Sequence, residues 1–265
     1  MKIVAVVSAK GGVGKTTLSA TLADTLAQAG NRVLAIDLDP QNALRLHFGM
    51  PVQDVAGHAR ATLAGERWLE SIWPGGRALV MPFGSLNESD RATFEQHLAT
   101  HPNWLRTQLG ALGLAEDDIV VIDTPPGPSP YMRQALSCAH VCLVVTLPDA
   151  ASYATLPLMD DLIRTYCERR SDFLGHALVI NQVDMARQLS KDVVQVLRNQ
   201  LGDRVLGVIH QDQAVPEALA HDCTVVERSP HSQAGQDIRR CATWLRGRLQ
   251  ATPQATPQAT LQEQA

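Results

Sequence analysis

The chain of 265 residues predicts an α/β fold, a mostly parallel twisted sheet of about seven or eight strands with helices on both faces. Three observations predict it. Short runs that are apolar at every position, such as 119–122 and 143–145, alternate with segments of helical period, as in a parallel sheet covered on both sides. A glycine-rich decapeptide, Ser-Ala-Lys-Gly-Gly-Val-Gly-Lys-Thr-Thr at 8–17, joins the first such run to the first helical segment. That is the strand–loop–helix context a phosphate-binding loop requires. Composition is ordinary for a globular chain, 45% hydrophobic and 19% charged, and the length suits one large domain over 1–250 better than two small ones.

In order, strands are expected over 2–7, 32–37, 78–81, 118–123, 140–147, 176–181 and 204–209. Helices are expected over 16–29, 54–64, 88–110, 130–138, 151–169, 187–201, 214–220 and 234–249. Gly30 stops the first helix, because glycine accepts the left-handed conformation that closes a helix. No internal domain boundary interrupts this alternation. The tail at 251–265, built on an Ala-Thr-Pro-Gln repeat, has little to bury and is expected to be disordered.

The decapeptide carries the chemistry. Gly11, Gly12 and Gly14 permit backbone angles that a side chain forbids. Successive N–H groups, that of Val13 included, then turn inward as a cradle for anionic oxygens. The helix opening at Gly14–Thr16 adds its positive end. Lys15 supplies a cation for the β- and γ-phosphates, and the Thr16 hydroxyl is placed to ligate a Mg²⁺ bridging them. Thr17 reaches the α-phosphate. A second lysine, Lys10, stands at the loop entrance, and Ala9 occupies the position where the general G-x-x-x-x-G-K-[ST] pattern has glycine.

Ligands of such sheets gather at the carboxyl ends of the strands. Asp37 and Asp39 close the second strand as Ala-Ile-Asp-Leu-Asp-Pro-Gln, and Asp123 closes the fourth as Val-Ile-Asp-Thr-Pro-Pro-Gly. Asp123, after four apolar residues, is placed to hold Mg²⁺ through water. Asn181 follows the apolar run 177–180, and His210 and Asp212 follow the last strand.

Other classes are disfavoured. The net charge of −4 lacks the basic surface expected of a nucleic-acid binder. No stretch reaches the ~18 apolar residues of a membrane span, and Met1 leads straight into a strand without room for a signal peptide. Five cysteines without a CxxC pair read as reduced, mostly buried thiols of a cytoplasmic protein. The arginine-rich helix 238–249 reads as packing Trp244 and Leu245 on the domain.

With Lys10 preceding the glycines, the loop K-G-G-x-G-K-[ST] resembles the deviant Walker A of the ParA/MinD family of P-loop ATPases. The resemblance implies ATP and Mg²⁺ as ligands and a nucleotide-sandwich homodimer, in which Lys10 reaches the partner's phosphates in the manner of an arginine finger. It further implies that Asp39 orients the attacking water and that Asp37 supports the metal and Thr16. Asp-Thr-Pro-Pro-Gly would sense the γ-phosphate, Asn181 would bond the adenine edge, and His210 and Asp212 would line the adenine pocket. Asn-Gln-Val-Asp at 181–184 differs from the guanine box N-K-x-D by Gln182, which weakens a GTP reading. Cys138 and Cys142 do not match the cluster ligands of the related iron proteins, since Cys138 is the first cysteine in the chain.

Within that family, residues 43–84 are similar to BcsQ proteins, which are encoded with bacterial cellulose synthase. The similarity lies in Asn42-Ala-Leu-Arg-Leu-His-Phe48, Ala59-Arg-Ala-Thr-Leu-Ala-Gly-Glu-Arg-Trp68 and Pro82-Phe-Gly84. It implies a slow, dimerisation-coupled ATPase that assembles or regulates the synthase. Its partners would be other synthase subunits, at the inner face of the inner membrane or at a cell pole. A DNA-partition ATPase and a scaffold that binds ATP without hydrolysing it are the alternatives. A cell-division role needs a membrane-targeting helix, against which the Ala/Thr/Pro/Gln tail argues.

Overall fold

Residues 1–250 are described by the computed structural model; the expected disordered tail at 251–265 lies outside them. Eight strands form one sheet in the order β3-β4-β2-β5-β1-β6-β7-β8. They are β1 (Lys2–Val7), β2 (Val33–Asp37), β3 (Trp73–Gly75), β4 (Ala78–Met81), β5 (Ile119–Asp123), β6 (Val141–Thr146), β7 (Gly175–Val183) and β8 (Val205–His210). Every pairing is parallel except β3 with β4.

The helices are α1 (Lys15–Gln28), α2 (His58–Ala64), α3 (Glu88–Thr100), α4 (Trp104–Ala111), α5 (Pro130–Cys138) and α6 (Ala150–Tyr153). They continue with α7 (Leu156–Tyr166), α8 (Gln188–Leu201), α9 (Ala214–Leu219), α10 (Val225–Arg228) and α11 (Gln233–Gln250). Alternate residues of β1 feed two cores, because side chains of a strand point to opposite faces. Ile3, Ala5 and Val7 pack with Phe94, Leu105, Leu136 and Ile163 on one side. Val4 and Val6 pack with Leu18, Leu22, Ile238 and Leu245 on the other. Burial on both faces explains the unbroken apolar runs of the central strands.

The structure departs from the sequence expectation at the periphery. The short β3 is an added antiparallel strand, joined to β4 through Gly76 at φ 73°. The helix expected over 54–64 starts only at His58, since Pro51 and the extended Gly57 precede it. The helix expected over 88–110 divides into α3 and α4 around Pro102, which cannot continue a helical hydrogen-bond ladder. That expected over 151–169 divides into α6 and α7, with Pro157 admitted near the α7 N-terminus. The four-residue α10 was not expected. Asn181 lies within β7, not beyond it; Gln182 takes φ 57° and shifts the β7–β8 register.

Candidate nucleotide site

The sheet brings the chemistry-bearing residues to one end. Asp37 of β2 and Asp123 of β5 are register partners, and Val6 of β1 faces Asp123 from the other side. The loop 8–14 therefore leaves β1 beside both carboxylates. Gly12 and Gly14 adopt φ 73° and 85°, conformations that L side chains rarely take. At Gly14 a Cβ would collide with the Asn181 amide, so this glycine is required by contact as well as by angle. The loop is closed from β5 by the backbone N–H of Gly127, which donates to Ser8 O at 2.9 Å.

Lys15 is buried, and its Nζ donates to Ser8 Oγ at 2.9 Å, while Ser8 Oγ donates to Lys10 O at 2.7 Å. Burial pulls Lys15 below the ordinary lysine value, against the raising effect of Asp123 and Asp39. Asp123 is 0% exposed. Burial pushes its carboxyl up to about 6, opposed by Thr16, Lys15 and Ser19. Ser19 Oγ donates to Asp123 Oδ1 at 3.1 Å, whereas the buried Oδ2 has no partner among the described residues.

Asp37 is also 0% exposed. Its two oxygens accept backbone N–H groups, Oδ1 from Asp39 at 2.9 Å and Oδ2 from Leu44 at 3.0 Å. Burial, followed by Asp123, raises its pKa well above the usual carboxylate range. Asp37 thus shapes the loop that carries Asp39. Asp39 is half-buried and itself accepts the Gln41 N–H at 2.9 Å. That loop is fastened from behind by His58, whose Nε2 donates to Asp37 O at 2.7 Å, and by Asn42 Oδ1, which accepts the Phe83 N–H at 2.9 Å. His58 is fully buried among Trp68, Phe83, Phe94 and Trp104, and burial pulls its pKa down to about 4.

Lys10 Nζ pairs with Asp149, just beyond the end of β6, at 3.1 Å. Both side chains are about a third exposed, at 39% and 36%, so the pair is screened and breakable.

Beyond the loop lies a cavity of about 330 Å³, lined by Gly14, Thr17, Asn181, His210, Asp212 and Pro216 among others, within the size range of small-molecule sites. Asn181 Nδ2 donates to Val13 O at 2.7 Å, which fixes the amide. The Thr17 hydroxyl lies 3.5 Å from His47 Nε2. His210 Nδ1 bonds Asp237 Oδ2 at 2.7 Å. Asp212 spends both oxygens on backbone, accepting from Ala214 N at 2.9 Å and Ala234 N at 3.1 Å. It lines the cavity as a loop fastener.

Sequence reasoning passed over Ser8, Ser19, Asn42, His58, Asp149 and Asp237. Ser19 was within reach, one helical turn after Thr16 and so on the same face of α1. Asp149 follows an apolar strand as Asp123 does. His58 carries no motif, and Asn42, though it opens the segment 42–48, shows its role only in the packing.

A family model described as "Cellulose biosynthesis protein BcsQ" matches residues 1–245. The chain belongs to the BcsQ family. This BcsQ-family chain is 28% identical over 253 residues to the cellulose biosynthesis protein BcsQ of Salmonella typhimurium, covering 92% of this chain and 94% of that one. It is 31% identical over 254 residues to the chromosome-partitioning ATPase Soj of Thermus thermophilus, covering 93% and 96%. In fold it is similar to the septum site-determining protein MinD of Pyrococcus horikoshii solved with Mg-ADP. The TM-score is 0.73 and the identity 21%, with coverage of 92% and 95%. The BcsQ match includes the segment 43–84, where the structure places His58 and the anchoring of the Asp37–Asp39 loop.

Proposed function

We propose that this BcsQ-family chain is a Mg-ATP-dependent ATPase of bacterial cellulose synthesis. ATP would close a homodimer, and hydrolysis would reopen it. One observation carries the ATP reading: an orphaned, fully buried Asp123 Oδ2 beside Thr16 and the buried Lys15. An unpartnered carboxylate oxygen in such a place is costly by itself, and a divalent cation would satisfy it. Among the described residues no group of three or more His, Cys, Asp or Glu forms a metal cage. That suits Mg²⁺, which binds through one or two protein oxygens, water and phosphate. When bound, Mg²⁺ neutralises charge on the β- and γ-phosphates. For the protein's part, backbone N–H groups of 11–15 cradle the phosphates and Lys15 holds the bridging charge. Asp39 positions the attacking water, and Lys10 leaves Asp149 for the phosphates of the second copy. Asn181 holds the base against Gly14.

Phosphate release tests this reading. Lys10→Ala and Asp39→Ala should each cut turnover by a factor on the order of 10³, the range of a cation supplied in trans, while retaining nucleotide binding. Equal rates in both variants and the wild type would sink the hydrolytic switch and leave a static ATP-bound scaffold.

The partners proposed are other subunits of the cellulose synthase at the inner face of the inner membrane, a reading supported by the family match. No described helix is long and apolar enough to cross a membrane, so attachment would run through partners. The 31% identity to a chromosome-partitioning ATPase favours DNA binding as the second reading. It predicts retention on DNA with ATP that falls steeply between 50 and 200 mM salt, by about 10³-fold or more. Absent or salt-independent retention removes it.

A further inference from the structure

A buried histidine touches the first turn of α1 where that turn lines the nucleotide cavity. His47 belongs to the 3₁₀ turn Leu44–Phe48 and is only 4% exposed. Asp37 holds the start of this turn, its Oδ2 accepting the Leu44 N–H at 3.0 Å. Gly49 holds the end at φ 67°, with its N–H closing on Arg45 O. The ring is thereby set against α1, with Nε2 at 3.5 Å from Thr17 Oγ1. Thr17 is the one hydrogen-bond partner of His47 among the described residues, and a polar ring buried without a partner is costly. Burial pulls the ring down to about 4, so at neutral pH it is uncharged and carries a single N–H.

Thr17 departs from the habit of a helical threonine. On the same helix Thr25 Oγ1 donates to Thr21 O, one turn back, at 2.6 Å, the usual internal bond. The equivalent carbonyl for Thr17 is Val13 O, which accepts the Asn181 amide at 2.7 Å. The Thr17 hydroxyl is left with His47 as its partner among the described residues, and Thr17 lines the cavity. Two polarities are open to the pair. If the hydroxyl donates to Nε2, its one proton is lost to the cavity. If Nε2–H donates to Oγ1, that proton is free for an acceptor there. A phosphate oxygen only accepts, so a bound phosphate selects the second polarity, and the two bonds in series strengthen each other.

We propose that His47 is a positioning residue for nucleotide binding: its Nε2–H donates to Thr17 Oγ1, so that the Thr17 hydroxyl turns its own proton to an oxygen of the α-phosphate. The inference rests on reading this loop and cavity as a nucleotide site with Thr17 at the α-phosphate. It adds the group that aims Thr17. It also gives the Asp37–Asp39 loop a second task, since the turn that leaves that loop carries the ring.

The test is a double-mutant cycle on the affinity of the full chain for Mg-ADP, read by calorimetry near pH 7.5. ADP carries the α-phosphate and keeps the γ-phosphate, with its proposed dimer closure, out of the measurement. Thr17→Val should weaken binding about tenfold, the worth of one hydrogen bond to a charged acceptor at the lower end. His47→Phe should weaken it about three- to tenfold. The double variant should bind within about twofold of Thr17→Val, because His47 then has nothing left to act through. A merely structural role for His47 would lower affinity by the same factor whether or not the Thr17 hydroxyl is present. Losses that multiply in this way overturn the proposal, and so does wild-type affinity in either single variant. Should His47→Phe fail to fold, His47→Asn takes its place in the cycle under the same criteria, since its amide stops short of Thr17. Failure of wild type to bind Mg-ADP would instead overturn the nucleotide site itself, and the role of His47 with it.

Discussion

Asp123 keeps one buried carboxylate oxygen without a partner among the described residues, a local cost to the protein without nucleotide. Its carboxyl is held at about 6 against an ordinary 3.8, so the folded state binds the proton more tightly than the unfolded chain. The contribution is therefore full below about pH 4 and is lost as pH rises toward 6, a difference of roughly 3 kcal/mol. Burial raises Asp37 in the same direction. Asp123→Asn should flatten this part of the pH dependence and stabilise the apo protein by about 1–3 kcal/mol at pH 7.5, while losing most of the stabilisation that Mg-ATP gives the wild type. Urea melts at pH 4 and pH 7, with and without nucleotide, check it; parallel wild-type and variant profiles would refute it. Asp37 and Asp123 could be placed at strand ends from the sequence because each closes an apolar run, and Asp39 because it follows two residues after Asp37. The two oxygens of Asp37 given to backbone were not legible there, since that depends on how the chain turns at Asp39–Leu44.

Among the elements, the central strands and α1 follow directly from unbroken apolar runs and helical period. The peripheral pieces did not, because prolines at 102 and 157 break segments whose hydrophobic pattern runs on. Tertiary contact also recruited Trp73–Gly75 as an edge strand. The loop between β2 and α2 shows what such packing does for the site. Asn42 sits at φ 53° and its Oδ1 accepts the Phe83 N–H. Alanine there loses both the tolerance of the left-handed region and the partner of a buried N–H. Asn42→Ala should cost about 2–3 kcal/mol and slow phosphate release by loosening the Asp39 loop. Thermal melts together with turnover measure this, and an unchanged melting temperature would contradict it. The subfamily resemblance in residues 43–84 thus coincides with the scaffold behind the Asp37–Asp39 loop, a coincidence that periodicity alone does not reveal.

At the scale of the whole molecule, the open face at the carboxyl ends of β1, β2, β5 and β6 carries the cradle, Asp39 and the Lys10–Asp149 pair. Light scattering should give twice the monomer mass with Mg-ATP and monomer with ADP, Asp39→Ala should lengthen the dimer's life, and Lys10→Ala should shorten it. A mass indifferent to nucleotide would rule out closure. The strand order also has a consequence in time. β1 finds its neighbours only across the chain, Lys2 opposite Ile119 and Val4 opposite Val141. At a synthesis rate of ~5–20 residues per second, the N-terminal strand waits on the order of 6–25 s before the strand that flanks it has been made. Such distant pairings also make folding slow. The phosphate loop precedes in sequence the strands that flank β1 and is therefore completed only after they have been made. A nascent chain cannot hold nucleotide until the middle of the sheet has closed around β1.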